Sequence, residues 1–211
     1  MLKVKLKIPF DVTVACSGGV DSMAVLHFLS QRKTMPKVAY MHHGTEHGEE
    51  AYAFVKQYCS DNGLELSVGH LSRSKQRDES PEEFWRIQRY AFLHSIPGTV
   101  VMAHHLDDNV ESWLLGALHG KPSVMPIRNK NVIRPFMMTK KSEFVDWCSR
   151  HGVPHVHDKS NDDTKYARNR MRNKIIPEAL AINPGLHKVV AKIVAAQYAR
   201  EAGTEELCSA G

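Results

Sequence analysis

The stretch Val12-Thr-Val-Ala-Cys-Ser-Gly-Gly-Val-Asp-Ser22 decides the fold. Its first half is a run of β-formers that predicts a buried strand. Ser17-Gly18-Gly19 predicts a turn open only to small residues. After Val20, Asp21 and Ser22, the apolar positions Met23, Val25, Leu26, Phe28 and Leu29 predict a helix. Strand, glycine turn and helix together gather backbone N–H groups at one point, backed by the helix dipole. Such a point favours a phosphate. Gly18 and Gly19 let it approach without a Cβ in the way, and Ser17 and Ser22 add hydroxyl donors. No Gly-Lys-Ser/Thr follows, so this is not a Walker A loop, and it is not GxGxxG either.

Working outward, 37–41, 64–68 and 99–103 predict three more strands. Helical spacing runs over 49–62, from the Ser80-Pro81 start through Phe92, and from His104 to about Leu118. Alternation of this kind predicts an α/β fold: a parallel twisted sheet with helices on both faces and a C-terminal helical segment. Ligands then sit at the carboxyl ends of the strands. Three polar clusters, at Ser17, at His42-His43-Gly44 and at His104, each follow a strand and are expected to converge on one crevice. Residues 1–8 alternate, predicting an edge strand with Lys3, Lys5 and Lys7 on its wet face. Thr139 reads as the N-cap of a helix ending at Gly152, and 158–164 as turn-forming. The basic run from Tyr166 to Ile176 begins a helix that Pro177 interrupts. A last helix carries Leu186, Val189, Val190, Ile193 and Val194 on one face. Residues 1–211 are expected to form one domain, with a nucleotide-binding core over about 1–125, a substrate-facing extension over about 126–202, and a tail at 203–211.

The 211 residues are 42% hydrophobic and 24% charged, a globular composition with ample length for a full core. The net charge of +5 permits a polyanionic partner without establishing one. Cys16, Cys59, Cys148 and Cys208 lack CxxC spacing, which argues against zinc or iron–sulfur sites and fits a reducing compartment. No apolar run is long enough to cross a membrane, and the early lysines precede no apolar region of a signal peptide. A cytoplasmic protein without a membrane partner is expected.

The chemistry concentrates in 104–111. On a helix His104, Asp108 and Glu111 share a face, and Asp107 stands four before Glu111. Acids in a first turn are favoured by the helix dipole, but three acids and two histidines beside a phosphate turn suggest Mg²⁺, which takes one or two carboxylates together with phosphate oxygens and water. Zinc is the weaker alternative, because no third soft ligand lies nearby. His43 is a candidate contact to nucleotide or substrate, or else hydrogen-bonds its own turn. Arg86 or Arg89 is a candidate clamp on a phosphate or carboxylate, or else faces solvent. Arg168 and Arg172 sit four apart near a helix start, where positive charge is disfavoured, and that placement suggests a ligand.

These motifs recur together in one family. Ser17–Ser22, His42-His43-Gly44, Arg86-x-x-Arg-Tyr90, Ala103-His-His-Leu-Asp-Asp-x-x-Glu111, Arg134-Pro-Phe, His157-Asp-x-Ser-Asn161 and Tyr166-x-Arg-Asn-x-x-Arg172 appear in that order. The chain resembles the tRNA(Ile)-lysidine synthetases, within the N-type ATP pyrophosphatases that share the PP-loop. The resemblance implies ATP and Mg²⁺ as cofactors, tRNA(Ile) with a CAU anticodon as partner, and free L-lysine as co-substrate. The C2 oxygen of the wobble cytidine is adenylated, and the ε-amine of lysine then displaces AMP. The resemblance assigns Ser17, Gly18, Gly19, Val20, Asp21 and Ser22 to ATP, and His104, Asp108, Glu111 and Arg89 to the reacting centre, with Asp21 and Asp108 expected at the Mg²⁺. His43, Arg86, Arg168, Asn169 and Arg172 are assigned to substrate, tRNA or phosphate. Two departures stand out. The usual glycine-rich loop is shortened to His119-Gly-Lys-Pro-Ser-Val-Met-Pro126, and the family's C-terminal tRNA-gripping domains have no counterpart, so a smaller grip or a partner is expected. Another PP-loop enzyme (a tRNA thiolase or amide-forming synthetase) and a non-catalytic nucleotide- or RNA-binding relative are the alternatives.

Overall fold

The structure is a computed structural model that describes residues 2–157 and 167–209, with side chains at all of these except 46, 47 and 203–209. The expected turn at 158–164 and the motif residues up to Tyr166 lie outside the described residues. Strand β1 (Val12–Ala15) leads through the glycine turn into α1 (Val20–Ser30). Then follow β2 (Lys37–His42), α2 (Glu46–Asp61), β3 (Leu66–His70), α3 (Pro81–Ser95), β4 (Thr99–Val101) and α4 (Leu106–Leu118). A short hairpin, β5 (Arg128–Asn129) and β6 (Val132–Ile133), precedes α5 (Lys141–His151). The C-terminal segment is α6 (Ala167–Arg170), a π-turn (Met171–Ile175), α7 (Ile176–Ile182) and α8 (Leu186–Ser209).

The sheet order is β3-β2-β1-β4-β6-β5, parallel except for β5. Strand β1 therefore lies between β2 and β4, with the chain winding outward in both directions from it. This is the topological switch point, where the loops after β1 and β4 part and leave a crevice. Alternate strand residues feed two cores. Val14, Val38, Tyr40, Val101 and Ile133 pack with residues of α1, α2, α4, α5 and α8. Ala39, Val100 and Val132 pack with Leu93 and Phe92 of α3 on the other face. That helix comes close because β3 has Gly69 beneath it: a Cβ there would lie 2.4 Å from the Phe92 ring.

The α/β architecture with helices on both faces is as the sequence predicts; several local expectations are corrected. Residues 2–8 are not a strand. Leu2 and Leu6 are buried four apart, and the backbone bonds side chains and loops instead of a ladder: Lys3 N–H donates to Thr139 Oγ1 and Lys5 N–H to the Pro135 carbonyl. Thr139 is consequently occupied and fully buried, so Lys140 is the N-cap of α5. Pro177 does not interrupt its helix. The ring of a proline crowds the carbonyl four residues earlier and supplies no N–H; the preceding π-turn, closed by Ile176 N–H to the Met171 carbonyl, widens the helix just ahead of it. On α8 the buried stripe is Leu186, Val190, Val194 and Tyr198, whereas Val189 and Ile193 are exposed. Spacing of four throughout, with Tyr198 as its last member, carries the stripe against α4 and the core.

Candidate active site

The glycine turn holds its shape through its own polar groups. Ser22 Oγ donates to the Gly19 carbonyl at 2.9 Å and accepts from Ser17 N–H at 3.2 Å. Gly18 has φ +82°, and a Cβ on it would press Val156, Val55 and Phe54 at 3.1–3.3 Å. Only glycine serves at this position. Gly19 is the N-cap of α1 and gives its first turn no side-chain acceptor. Those leading N–H groups lack intrahelical partners and face the place where an anion would sit.

Helix α4 starts at Leu106, two residues later than the sequence suggests. Its N-cap is His105: Asp108 N–H donates to His105 Nδ1 at 3.3 Å, and His105 N–H donates to Asp108 Oδ2 at 3.0 Å. His104 therefore precedes the helix and does not share a helical face with Asp108 and Glu111. The other nitrogen of His105, Nε2, lies 3.4 Å from Asp108 Oδ2 and 3.7 Å from Asp21 Oδ2. This one ring joins the loop after β1 to the loop after β4. Burial disfavours a charge on it, but Asp108, Asp21 and Asp107 outweigh that and raise its affinity for a proton. Burial likewise works to raise Asp21, but His105 and then Lys141, whose Nζ is 3.5 Å away, hold its carboxyl below the usual range.

The crevice beneath these loops has a volume of about 710 Å³, within the size range of small-molecule sites. Its wall carries Ser17, Gly19, Val20, Asp21, Ser22, His43, Arg89, His104, Asp108 and Arg172. The three polar clusters thus converge. Gly18, Arg86, Glu111, Arg168 and Asn169 are not on this wall. Arg86 is half exposed and pairs with Glu83 one helical turn away, as on an ordinary solvated face. Glu111 is almost fully buried; Arg172 Nη2 donates to its Oε2 at 2.8 Å and to Asp108 Oδ1 at 3.2 Å, and Arg168 Nη1 lies 3.5 Å from Glu111 Oε1. Burial raises the Glu111 carboxyl above its usual range despite those two guanidinium groups. The expectation that both arginines face a ligand is thereby corrected in part: the basic helix is drawn onto α4 by its acids.

Sequence reasoning missed Lys141, and it named Asp107 and Arg134 without finding their partners. Lys141 lines the crevice from the start of α5. Asp107 accepts from Lys141 N–H at 2.8 Å and lies 3.1 Å from His187 Nε2, tying α5 and α8 to α4. A lysine at a helix N-terminus, where the dipole disfavours it, was the available signal for the first. Spacing sets Asp107 beside Glu111 and the motif series includes Arg134, but neither signal reveals their contacts, because those partners are distant in sequence. Of the two histidines after β2, His42 accepts from Gly44 N–H within its own turn, and His43 lines the crevice.

Burial, then the Arg89 cation and His42, lowers His43 to about 4 from 6.5. The unfolded chain therefore takes up this proton first as pH falls. The stability it contributes is present above about pH 6.5 and lost on descent toward about pH 4. His104 acts in the same direction. We expect the urea midpoint to fall between pH 7.5 and pH 5, and His43→Gln to flatten that slope; a slope unchanged by the substitution would place the protons elsewhere.

Asp21 Oδ1 is buried without a hydrogen-bond partner. Such a hard, anionic oxygen suits Mg²⁺. Among the described residues no group of three or more His, Cys, Asp or Glu side chains could hold a metal alone, so the donor set fits an ion that takes its remaining ligands from phosphate and water, and does not fit zinc. No single helix among the described residues is long and apolar enough to cross a membrane.

A family model for the PP-loop domain matches residues 4–179. The tRNA(Ile)-lysidine synthase of Neisseria meningitidis serogroup B is 33% identical over 186 residues, 81% of this chain and 43% of that protein. That of Nitrosomonas europaea is 32% identical over 208 residues, 90% of this chain and 45% of that protein. The bifunctional protein TilS/HprT of Listeria innocua is 31% identical over 196 residues, 83% of this chain and 30% of that protein. The chain thus spans less than half the length of these relatives. Among solved structures, the U34-tRNA thiolase NcsA from Methanococcus maripaludis aligns with a TM-score of 0.70 over 92% of this chain and 73% of that one, at 14% identity, a likeness of fold alone.

Proposed function

The chain belongs to the PP-loop domain family, and on that premise we propose that it catalyses the tRNA(Ile)-lysidine synthase reaction. ATP adenylates the C2 oxygen of the wobble cytidine in a CAU-anticodon tRNA(Ile), releasing pyrophosphate. The ε-amine of free L-lysine then attacks C2 and AMP leaves. Cytosine C2 is a poor electrophile, and adenylation makes its oxygen a leaving group; what remains for the protein is positioning and charge stabilisation. In this reading about 1–125 bind the nucleotide and about 126–202 face the substrate, in a cytoplasmic enzyme.

Ser17, Gly18, Gly19, Val20 and Ser22 cradle the departing pyrophosphate with backbone N–H and hydroxyl groups. Asp21 and Asp108 would hold Mg²⁺, which neutralises phosphate charge when bound. Arg172 and Arg168, braced by Glu111, keep positive charge beside the acids, and Asn169 extends that surface toward the RNA. His43 and Arg89 line the same crevice. A splayed, single-stranded anticodon base suits a pocket of this size. The observation that carries the reading is the His105 ring, 3.7 Å from Asp21 and 3.4 Å from Asp108, which brings the phosphate turn and the acidic helix to one space. Against thiolation stand the described cysteines: Cys16, Cys59 and Cys148 are all buried, and burial raises all three, the latter two to about 11, leaving them as thiols.

Pyrophosphate release with ATP, lysine and CAU-anticodon tRNA(Ile) tests the proposal. Turnover dependent on both lysine and this tRNA is the expected result. Turnover that needs a sulfur donor instead, or nucleotide binding with no turnover, overturns it.

A further inference from the structure

Arg134 is a buried cation, 3% exposed, whose guanidinium is spent on neutral acceptors. Its Nη1 donates to the Pro126 carbonyl at 2.6 Å, its Nη2 to the Tyr90 hydroxyl, and its Nε to His104 Nδ1 at 3.2 Å. A guanidinium has only donors and keeps its proton. His104 Nδ1 must therefore present a lone pair, and a neutral ring with a bare Nδ1 carries its proton on Nε2. Arg134 does not line the crevice and His104 does, so the N–H is what this ring offers the crevice. Beside it lies Arg89, whose Nε is buried without a partner.

We propose that Arg134 is a positioning residue that fixes His104 as a neutral Nε2–H donor, and that His104 and Arg89 together form an oxyanion-receiving corner of the crevice. The corner is electropositive from every side. His104 faces Arg134 after β6, Arg89 on α3, its neighbour His105 and Arg168 on α6; burial first, then these cations, keeps it neutral well below the usual histidine range. Arg89 has only Tyr90 in its favour and sits among Arg168, Arg134 and Arg86. A buried cation short of a counter-charge is costly in the free protein, and an oxyanion relieves that cost. The acids Asp21 and Asp108 line the same crevice, gathered around the neighbouring His105. Resting on the function proposed above, the oxyanion is a carboxylate or phosphate oxygen: the α-carboxylate of the amino acid or the α-phosphate of the adenylate.

Nitrogen-15 NMR of the imidazole rings tests the first half without any turnover. In the wild type, His104 is expected as the Nε2–H tautomer, with no protonation from about pH 8 to about pH 5. An Nδ1–H tautomer, or titration near the ordinary histidine value, overturns the assignment. Arg134→Met is expected to raise the His104 titration point; because that variant removes a buried group, the wild-type tautomer decides the matter if it does not fold. The second half is read from lysine against lysinamide, which lacks the carboxylate. If the corner takes the carboxylate, Arg89→Met abolishes a preference for lysine of about 10- to 100-fold. If it takes the phosphate, Arg89→Met lowers pyrophosphate release by a similar factor with either amine and leaves their ratio unchanged. A folded Arg89→Met enzyme with wild-type rate and ratio overturns the corner. Wild-type protein inactive with the tRNA and lysine sinks the proposed reaction and, with no rate to lose, the second half too; the tautomer result still stands on its own.

Discussion

Asp21→Asn is expected to reduce pyrophosphate release by about 100-fold or more while the protein stays folded. The substitution keeps the side chain's size and removes its charge. In the folded chain Asp21 has little structural work: Oδ2 meets Lys141 at 3.5 Å and His105 at 3.7 Å, both long contacts, and Oδ1 is buried with no partner. Losing a partly buried charge also removes a desolvation cost, so the stability terms oppose one another. The melting temperature is expected to move by no more than about 2–4 °C, equivalent to roughly 1 kcal/mol in a chain of this size. The catalytic term has no such offset, because the vacant oxygen is the group placed to meet the metal and phosphate. Calorimetry and pyrophosphate release on the same preparation check this. Full activity would remove Asp21 from the chemistry; a large loss of melting temperature would make it a structural residue.

Arg172→Ala is expected to cost both stability and turnover. The sequence by itself suggests that substrate binding suffers more than stability. The ion pair changes that expectation: Glu111 is almost fully buried, and its nearest cation is Arg172 Nη2 at 2.8 Å. Removing the arginine leaves a buried carboxylate with only Arg168, at 3.5 Å and half exposed. Breaking a fully buried pair costs about 3–5 kcal/mol. Arg172 is itself 36% exposed, and solvent screening reduces the expected loss to about 1–3 kcal/mol. A double-mutant cycle with Glu111→Gln is expected to show a coupling of about 0.5–3 kcal/mol in urea unfolding. Additive effects would mean that the two side chains do not meet in solution. Turnover falls as well, because Arg172 also holds Asp108, at 3.2 Å.

The fold was largely legible because its signals are local. Val12–Ala15, the two glycines and the apolar spacing after Asp21 set strand, turn and helix within about twenty residues. What was misread was decided by partners far along the chain. Residues 2–8 alternate like a strand, yet Thr139 and Pro135 take their backbone bonds. Thr139 has an N-cap's composition, yet its hydroxyl is engaged by Lys3. His104 fits the helical spacing, yet the capping box at His105 starts the helix two residues on, at Leu106. In the site, motif spacing picked out the phosphate turn, Asp108 and His43, because those positions follow strands, and Arg89 on the helix before β4. It also assigned Arg86 to substrate or phosphate and Glu111 to the reacting centre, and neither lines the crevice.

Residue order alone determined that a phosphate-favouring turn exists, that a parallel sheet carries it, and that acids and histidines stand at the end of β4. Those properties follow from periodicity and backbone freedom, which act over a few residues. Only the tertiary structure decided which side chain meets which. It set Arg134 against His104, Arg172 against Glu111 and His105 between Asp21 and Asp108, because burial leaves each charge or lone pair to find its partner in space, at separations in the chain that no spacing rule reaches.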